Sequence, residues 1–269
     1  MTSETRELSA NDGQPIALFD FVRGTQHWRY TTADRNQAHL GQTFTPLPIG
    51  ATEIQIGTER RKLTRTVTLP ASASVAGNWR PYPSSEVIAL SVFLKHYGET
   101  DAFLDWIGRV MSPKFTNAGT LELTCEPSTT TARRIGLRRC WQIGCGLALY
   151  ACGVDRNDHA LPATVANASG LTVDAAAFAS LPDGRLAGGY LEWVRPDGNI
   201  ERRSISQHAG SAVTVAYGSH DLATGLQLTA YPGCAHTWAD CSGYYSNGPN
   251  YGGDLNMPQR SPFDGNPVW

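Results

Sequence analysis

Hydrophobic and polar residues alternate along most of this chain, and the alternation breaks at short turn-forming clusters. Residues 16–34, IALFDFVRGTQHWRYTTAD, step through Leu18, Asp20 and Val22 and again through Trp28 and Tyr30, on either side of an Arg23-Gly24-Thr25 turn. That pattern predicts a β-hairpin. A second alternating run passes through Ile54, Ile56, Leu63, Arg65 and Val67, and AFLDWIGRVMS and GTLELTCEP add two further strands. The segment SSEVIALSVFLKHYG reads differently: Val87, Leu90, Phe93 and Leu94 fall at helical spacing behind Ser84 or Ser85, so a short capped helix is expected there.

The polar stretch PSTTTARR, from Pro127 to Arg134, divides the chain into an N-terminal module, 1–132, and a C-terminal module, 133–269. Beyond it, ATVANASGLTVDAAAF predicts two short strands. A hairpin follows with its turn at Pro196-Asp197-Gly198, and LQLTAYPGC supplies another strand. Turns every ten or so residues fit a small barrel or sandwich. The expected fold class is mainly β: two β-rich modules with one or two short helices.

Composition narrows the function. The 269 residues are 41% hydrophobic, enough for a core, and the net charge of -2 gives no electrostatic basis for nucleic-acid specificity. No apolar run approaches the roughly 20 residues of a membrane helix. The opening MTSETRELSANDGQP lacks a basic-then-apolar leader, so folding in a reducing cytoplasm, where structural disulfides are uncommon, is expected.

Six cysteines in such a chain call for an explanation. Cys145 and Cys152 are separated by six residues, and Cys234 and Cys241 repeat the interval. Four thiolates suit Zn2+ or an iron–sulfur cluster. Structural zinc usually draws on closer pairs, whereas a cluster caps each iron separately and tolerates wider spacing. Spacing alone leaves zinc, a cluster, disulfides and plain buried thiols all open. Glycines beside Cys152 and Cys234 allow close backbone approach and N–H donation to sulfur. Cys125 and Cys140 stand outside the interval and read as structural or peripheral.

Other constellations are weaker. Cys234, His236 and Asp240 could form a cysteine-nucleophile site, yet near neighbours in sequence seldom converge. The run Asp155–Asp158 lacks the ligand interval of a calcium loop. Gly188-Gly189 precedes a strand rather than a helix, so no phosphate loop is expected. The remaining histidines, His27, His39, His96, His159, His208 and His220, read as surface or loop residues, and Trp28, Trp106 and Trp193 as core or interface.

The motifs carry a resemblance. Trp28-Arg29-Tyr30-Thr31, Asp34-Arg35, Gly41 and Phe44-Thr45-Pro46 resemble the opening of the tail-tip (baseplate) hub proteins of long-tailed bacteriophages and gene transfer agents, a family that includes the lambda minor tail protein L. CGLALYACGVDR, AGGYLEWV and the closing Cys234, Cys241, Asn247, Asn250, Gly253 and Pro258 are similar to later motifs of the same family. The resemblance implies a non-enzymatic virion protein with a tail-tube-like N-terminal β domain. It implies a homotrimer, a threefold ring at the tail tip, assembled in the host cytoplasm. The implied neighbours are the distal tail protein, the tape measure protein and the central tail fibre or receptor-binding protein. It further implies a [4Fe-4S] cluster on Cys145, Cys152, Cys234 and Cys241. A tail-associated cysteine hydrolase and a zinc-binding structural protein are the alternatives.

Overall fold

The computed structural model describes residues 6, 9, 13–54, 64–133 and 140–257. The chain forms two compact units, residues 1–134 and 135–269.

The first unit is built on nine strands: β1 (Pro15–Arg23), β2 (Gln26–Thr31), β3 (Gln37–His39), β4 (Gln42–Pro46), β5 (Gly50–Ala51), β6 (Arg65–Pro70), β7 (Ala89–His96), β8 (Phe103–Phe115) and β9 (Thr120–Pro127). They run in the order β3-β4-β2-β1-β7-β8-β9-β6-β5, antiparallel except for the β2–β4 pair. The β1–β2 hairpin turns on Gly24, whose φ of 55° is open to glycine without a Cβ penalty. Alternate residues of the central strands fill one core, in which Phe21, Val67, Leu90, Val92, Leu121 and Leu123 are fully buried. Arg65 enters this buried row among apolar neighbours because its charge is matched: it donates to Asp105 at 2.8 Å and to the Thr52 carbonyl at 2.9 Å.

The helix expected after Ser84 is a strand. Residues 89–96 form β7, which pairs with β1 on one side and β8 on the other. Leu90 and Val92 are buried with Ser91 between them, and Val87 is exposed. A short apolar run satisfies both periods, and here two neighbouring strands decide it. Arg65 and Val67 lie in β6, but Ile54 is outside any strand, and Ile56 and Leu63 fall outside the described residues.

The second unit contains β10 (Leu161–Thr164), β11 (Asn167–Ser169), β12 (Thr172–Asp174), β13 (Tyr190–Val194), β14 (Ile200–Ala209), β15 (Ala212–Val215) and β16 (Gln227–Tyr231). These pair in the antiparallel order β10-β16-β13-β14-β15-β12-β11, and β14 passes from pairing with β13 to pairing with β15 along its length. Its core gathers Val165, Phe178, Leu186, Leu191, Trp193, Ile205, Val213 and Ala230. The β13–β14 turn sits where the sequence places it: Gly198 has φ 82°, and the Asp197 carboxylate accepts from the Asn199 N–H at 3.0 Å. Arg203 and Glu201 are both buried and bonded to each other, and Arg203 also lies 4.4 Å from the Tyr217 ring centre. Helical pieces in this unit are single turns, among them 3-10 turns at Arg156–His159 and Ala176–Ser180 and a π turn at Asp240–Tyr244.

Three histidines depart from the surface reading. His39, His96 and His208 are buried. His208 follows a register shift in β14 between Ile205 and Gln207, which moves the buried set from Glu201, Arg203 and Ile205 to His208. Its Nε2 lies 3.2 Å from the Phe178 carbonyl and 3.1 Å from that of Gly210.

Candidate metal centre

Two close backbone crossings bring the cysteine-bearing loops of the second unit together. A Cβ on Gly189 would lie 2.0 Å from the Tyr231 carbonyl oxygen, and one on Gly233 would lie 1.9 Å from that of Ala187. Only glycine fits at either place, so the chain leaves β16 in contact with the entry to β13 and delivers Cys234 one residue later. Tyr245 fixes this crossing by donating its hydroxyl to the Gly233 carbonyl at 2.8 Å. Tyr150 donates likewise to Pro232 at 2.9 Å.

Cys241 lies in the π turn, a helix form often found at functional sites. Asp240 holds that turn in place. Its carboxylate pairs with Arg185 at 2.7 Å and accepts the Ala235 N–H at 2.8 Å. The Arg185 guanidinium also sits 4.0 Å over the Tyr244 ring.

The first cysteine pair is reached through the segment after Cys241. The Cys145 N–H donates to the His236 carbonyl at 2.8 Å, and the Gly252 N–H points at the Cys145 sulfur at 3.3 Å. The Asn247 amide donates to the Cys152 carbonyl at 3.1 Å and approaches its sulfur at 3.7 Å. Asn250 donates to Asn247 Oδ1 at 2.7 Å, which fixes that amide's orientation. The His236 N–H reaches the Cys234 sulfur at 3.3 Å. The Cys241 thiol donates to the Asn247 carbonyl at 3.3 Å.

The sulfurs are neighbours. Cys241 lies within electrostatic reach of Cys145, Cys152 and Cys234, and the Tyr251 hydroxyl within reach of Cys145, Cys234 and Cys241. No disulfide joins any of the six cysteines. Among the described residues, no three His, Cys, Asp or Glu side chains are gathered tightly enough to share one ion. Burial pushes the Cys234 and Cys241 thiols up, and for Cys241 the adjacent Cys145 and Cys152 add to it. Any soft metal would have to displace those protons.

Backbone strain collects here as well. Among the described residues, four non-glycine residues have positive φ, and three flank these cysteines: Tyr150 at 65°, His236 at 58° and Ser246 at 48°. Such conformations cost of order 1–3 kcal/mol each and persist only where surrounding structure imposes them.

The residues chosen from sequence thus separate. Cys145, Cys152, Cys234 and Cys241 come together, with Asn247, Asn250 and Gly253 beside them, while Pro258 lies outside the described residues. A Cβ on Gly253 would strike the Ile143 carbonyl oxygen at 2.3 Å. Cys125 is buried in β9, and burial pushes its thiol up to about 12. Cys140 is exposed. The amide donors expected beside the cysteines differ from those found, which are Gly252 and His236. Cys234, His236 and Asp240 are close, but His236 offers its main-chain N–H to the sulfur and Asp240 is engaged by Arg185. The raised Cys234 thiol is also opposite to the activated thiolate of a nucleophile. Arg185 was invisible from sequence because its partner lies more than fifty residues downstream with no local pattern linking them.

Comparison with known proteins adds three findings. Residues 184–261 match the family described as phage conserved hypothetical protein BR0599, a span that includes Cys234, Cys241 and the tail packed on them. The chain is 30% identical over 218 residues to an uncharacterized protein of Xylella fastidiosa (strain 9a5c), covering 72% of this chain and 45% of that one. It therefore spans about half the length of that relative. Its fold also matches a chain in the virion of a native gene transfer agent particle, with a TM-score of 0.75, 15% identity, and coverage of 99% of this chain and 96% of the other. The mainly β, two-unit fold is one found in a virion.

Proposed function

We propose that this chain is a structural virion protein of a phage or gene transfer agent, and that it forms the hub ring at the tail tip. The observation that carries this reading is the match of fold along 99% of the chain to a component of a gene transfer agent particle. The phage family match over 184–261 supports it from sequence. In this reading a homotrimer joins the distal tail protein to the central receptor-binding or penetration protein, next to the tape measure protein. Phe103, Leu104, Ile107 and Met111 on β8 are each about half exposed, apolar surface of the kind that neighbouring chains cover in an assembly.

Cys145, Cys152, Cys234 and Cys241 would hold a [4Fe-4S] cluster. The donor set fits: four soft thiols, with main-chain N–H groups of Gly252 and His236 and the Asn247 amide aimed at three of the sulfurs. Thiols that neighbour one another without tight convergence suit a four-iron group better than a single zinc. When bound, the cluster supplies a cross-link that forms under reducing conditions. The protein's own part is to present the thiols at fixed points, neutralise sulfur charge by N–H donation, and limit water through the rings of Tyr150, Tyr245 and Tyr251. Closing a loop of about a hundred residues stabilises by roughly 4–5 kcal/mol on a chain-entropy basis.

Imaging of the assembled particle tests the assignment to the hub, which fails if the chain lies outside the tail tip. Anaerobic purification with iron, sulfide and zinc analysis tests the cluster. About four irons with matching sulfide are expected. One zinc and no iron would leave the hub reading intact and remove the cluster.

A further inference from the structure

Next to the cysteine loops the second unit has an open cavity of about 540 Å³ whose lining includes Trp141, Gln142, Trp238, Tyr251, Asp254 and Asn256. That volume lies inside the roughly 300–1,000 Å³ range of small-ligand sites. Its aromatic surface is unusually bare: Trp141 is 71% exposed and Trp238 is 41% exposed. Both indoles thus leave aromatic surface open to water on one concave surface.

These rings are held firmly. Trp238 and Tyr251 meet edge to face at 5.4 Å and 85°. The Tyr251 hydroxyl donates to the Ile143 carbonyl at 2.8 Å. The Trp141 Nε1–H donates to Asp254 Oδ2, while Asp254 Oδ1 accepts the Asn256 N–H at 3.1 Å. The Asp254 N–H in turn donates to the Gln142 carbonyl at 2.8 Å. A rigid aromatic floor is therefore bordered by one carboxylate and two side-chain amides, and the described lining has no Lys, Arg or His.

We infer that this cavity is a binding site for a neutral glycan, taken as pyranose units against the exposed indole faces. The chemistry matches on each side. A pyranose ring presents a face of weakly positive C–H bonds, which complements the negative π face of an indole. Its hydroxyls both donate and accept, as do the Asn256 and Gln142 amides, and the Asp254 carboxylate has acceptor capacity beyond its two bonds. The Asp254 carboxylate in the lining disfavours an anionic ligand such as a phosphate or a carboxylate. An open and partly polar site argues against a purely apolar one. The inference rests on the cavity and not on the tail-tip reading.

The test is titration of the full chain with tri-N-acetylchitotriose and with cellotriose, following the indole N–H resonances of Trp141 and Trp238. A saturable shift of these two resonances with at least one trisaccharide at millimolar concentration is expected. Trp141→Ala should weaken binding about ten-fold, and Asn256→Ala should weaken it with the fold intact. Failure of both sugars to move either resonance would overturn the inference. So would affinity unchanged from the parent's in both variants. A polyproline peptide that shifts the two indoles when neither sugar does would assign the site to extended peptides and overturn the glycan.

Discussion

Asn247 donates its side-chain amide to the Cys152 carbonyl across 95 positions of sequence, and the same nitrogen lies 3.7 Å from the Cys152 sulfur. One buried amide thereby joins the segment after Cys241 to the first cysteine pair. Asn247→Ala leaves that carbonyl without its donor and should cost about 1–3 kcal/mol. Hydrogen exchange checks this, with the amides of Gly252 and His236 expected to lose protection while those of β1 and β7 keep theirs.

Cysteine substitutions should divide sharply. Cys152→Ser is expected to lower bound iron and thermal stability, and Cys140→Ser to leave both within error, because Cys140 is exposed and lies outside the repeated six-residue interval. Iron analysis with a melting curve for each variant decides it. Equal losses would refute the ligand assignment.

The glycine crossing gives a sterically cleaner prediction. Gly233→Ala places a methyl 1.9 Å from the Ala187 carbonyl oxygen, where backbone would have to move. It should destabilise the second unit by more than about 3 kcal/mol. Gly243→Ala meets no atom within 4 Å and should be close to neutral. Denaturant midpoints of the two variants provide the comparison.

Alkali should loosen the first unit through Cys125. Burial is the main cause of its raised thiol, at about 12 against an ordinary 9, and the nearby Arg65 opposes it only in part. Below pH 9 the thiol is protonated whether folded or unfolded, so this contribution is fully present. From about 9 to 12 only the unfolded chain releases the proton. Stability therefore falls as pH rises, by at most about 1.4 kcal/mol per pH unit. Unfolding measured from pH 8 to 11 should show a shallower decline in Cys125→Ala than in the parent, on top of a constant offset from the lost side chain.

Strands with strict alternation were legible without a structure. Leu18 to Val22 and Trp28 to Tyr30 form the β1–β2 hairpin, and Asp197-Gly198 turns β13 into β14. The segment after Ser84 was not, because Leu90, Phe93 and Leu94 satisfy a helical period while β1 and β8 impose an extended one. The equal cysteine intervals drew attention to Cys145, Cys152, Cys234 and Cys241, whose loops approach one another in the fold. What local pattern could not show was the means of their approach: the paired glycines 189 and 233, the ion pair of Arg185 with Asp240, and the strained backbone at Tyr150, His236 and Ser246. Each depends on residues distant in sequence or on a conformation that its own side chain does not favour.

The segment after Cys234 attaches itself largely to main-chain carbonyls that precede it, those of Gln142, Ile143, Cys152 and Gly233. A carbonyl is the same whatever residue bears it. Positions on the receiving loop can therefore drift among lineages while the route of the chain is kept, so kinship in this region should outlast the point at which the letters stop agreeing.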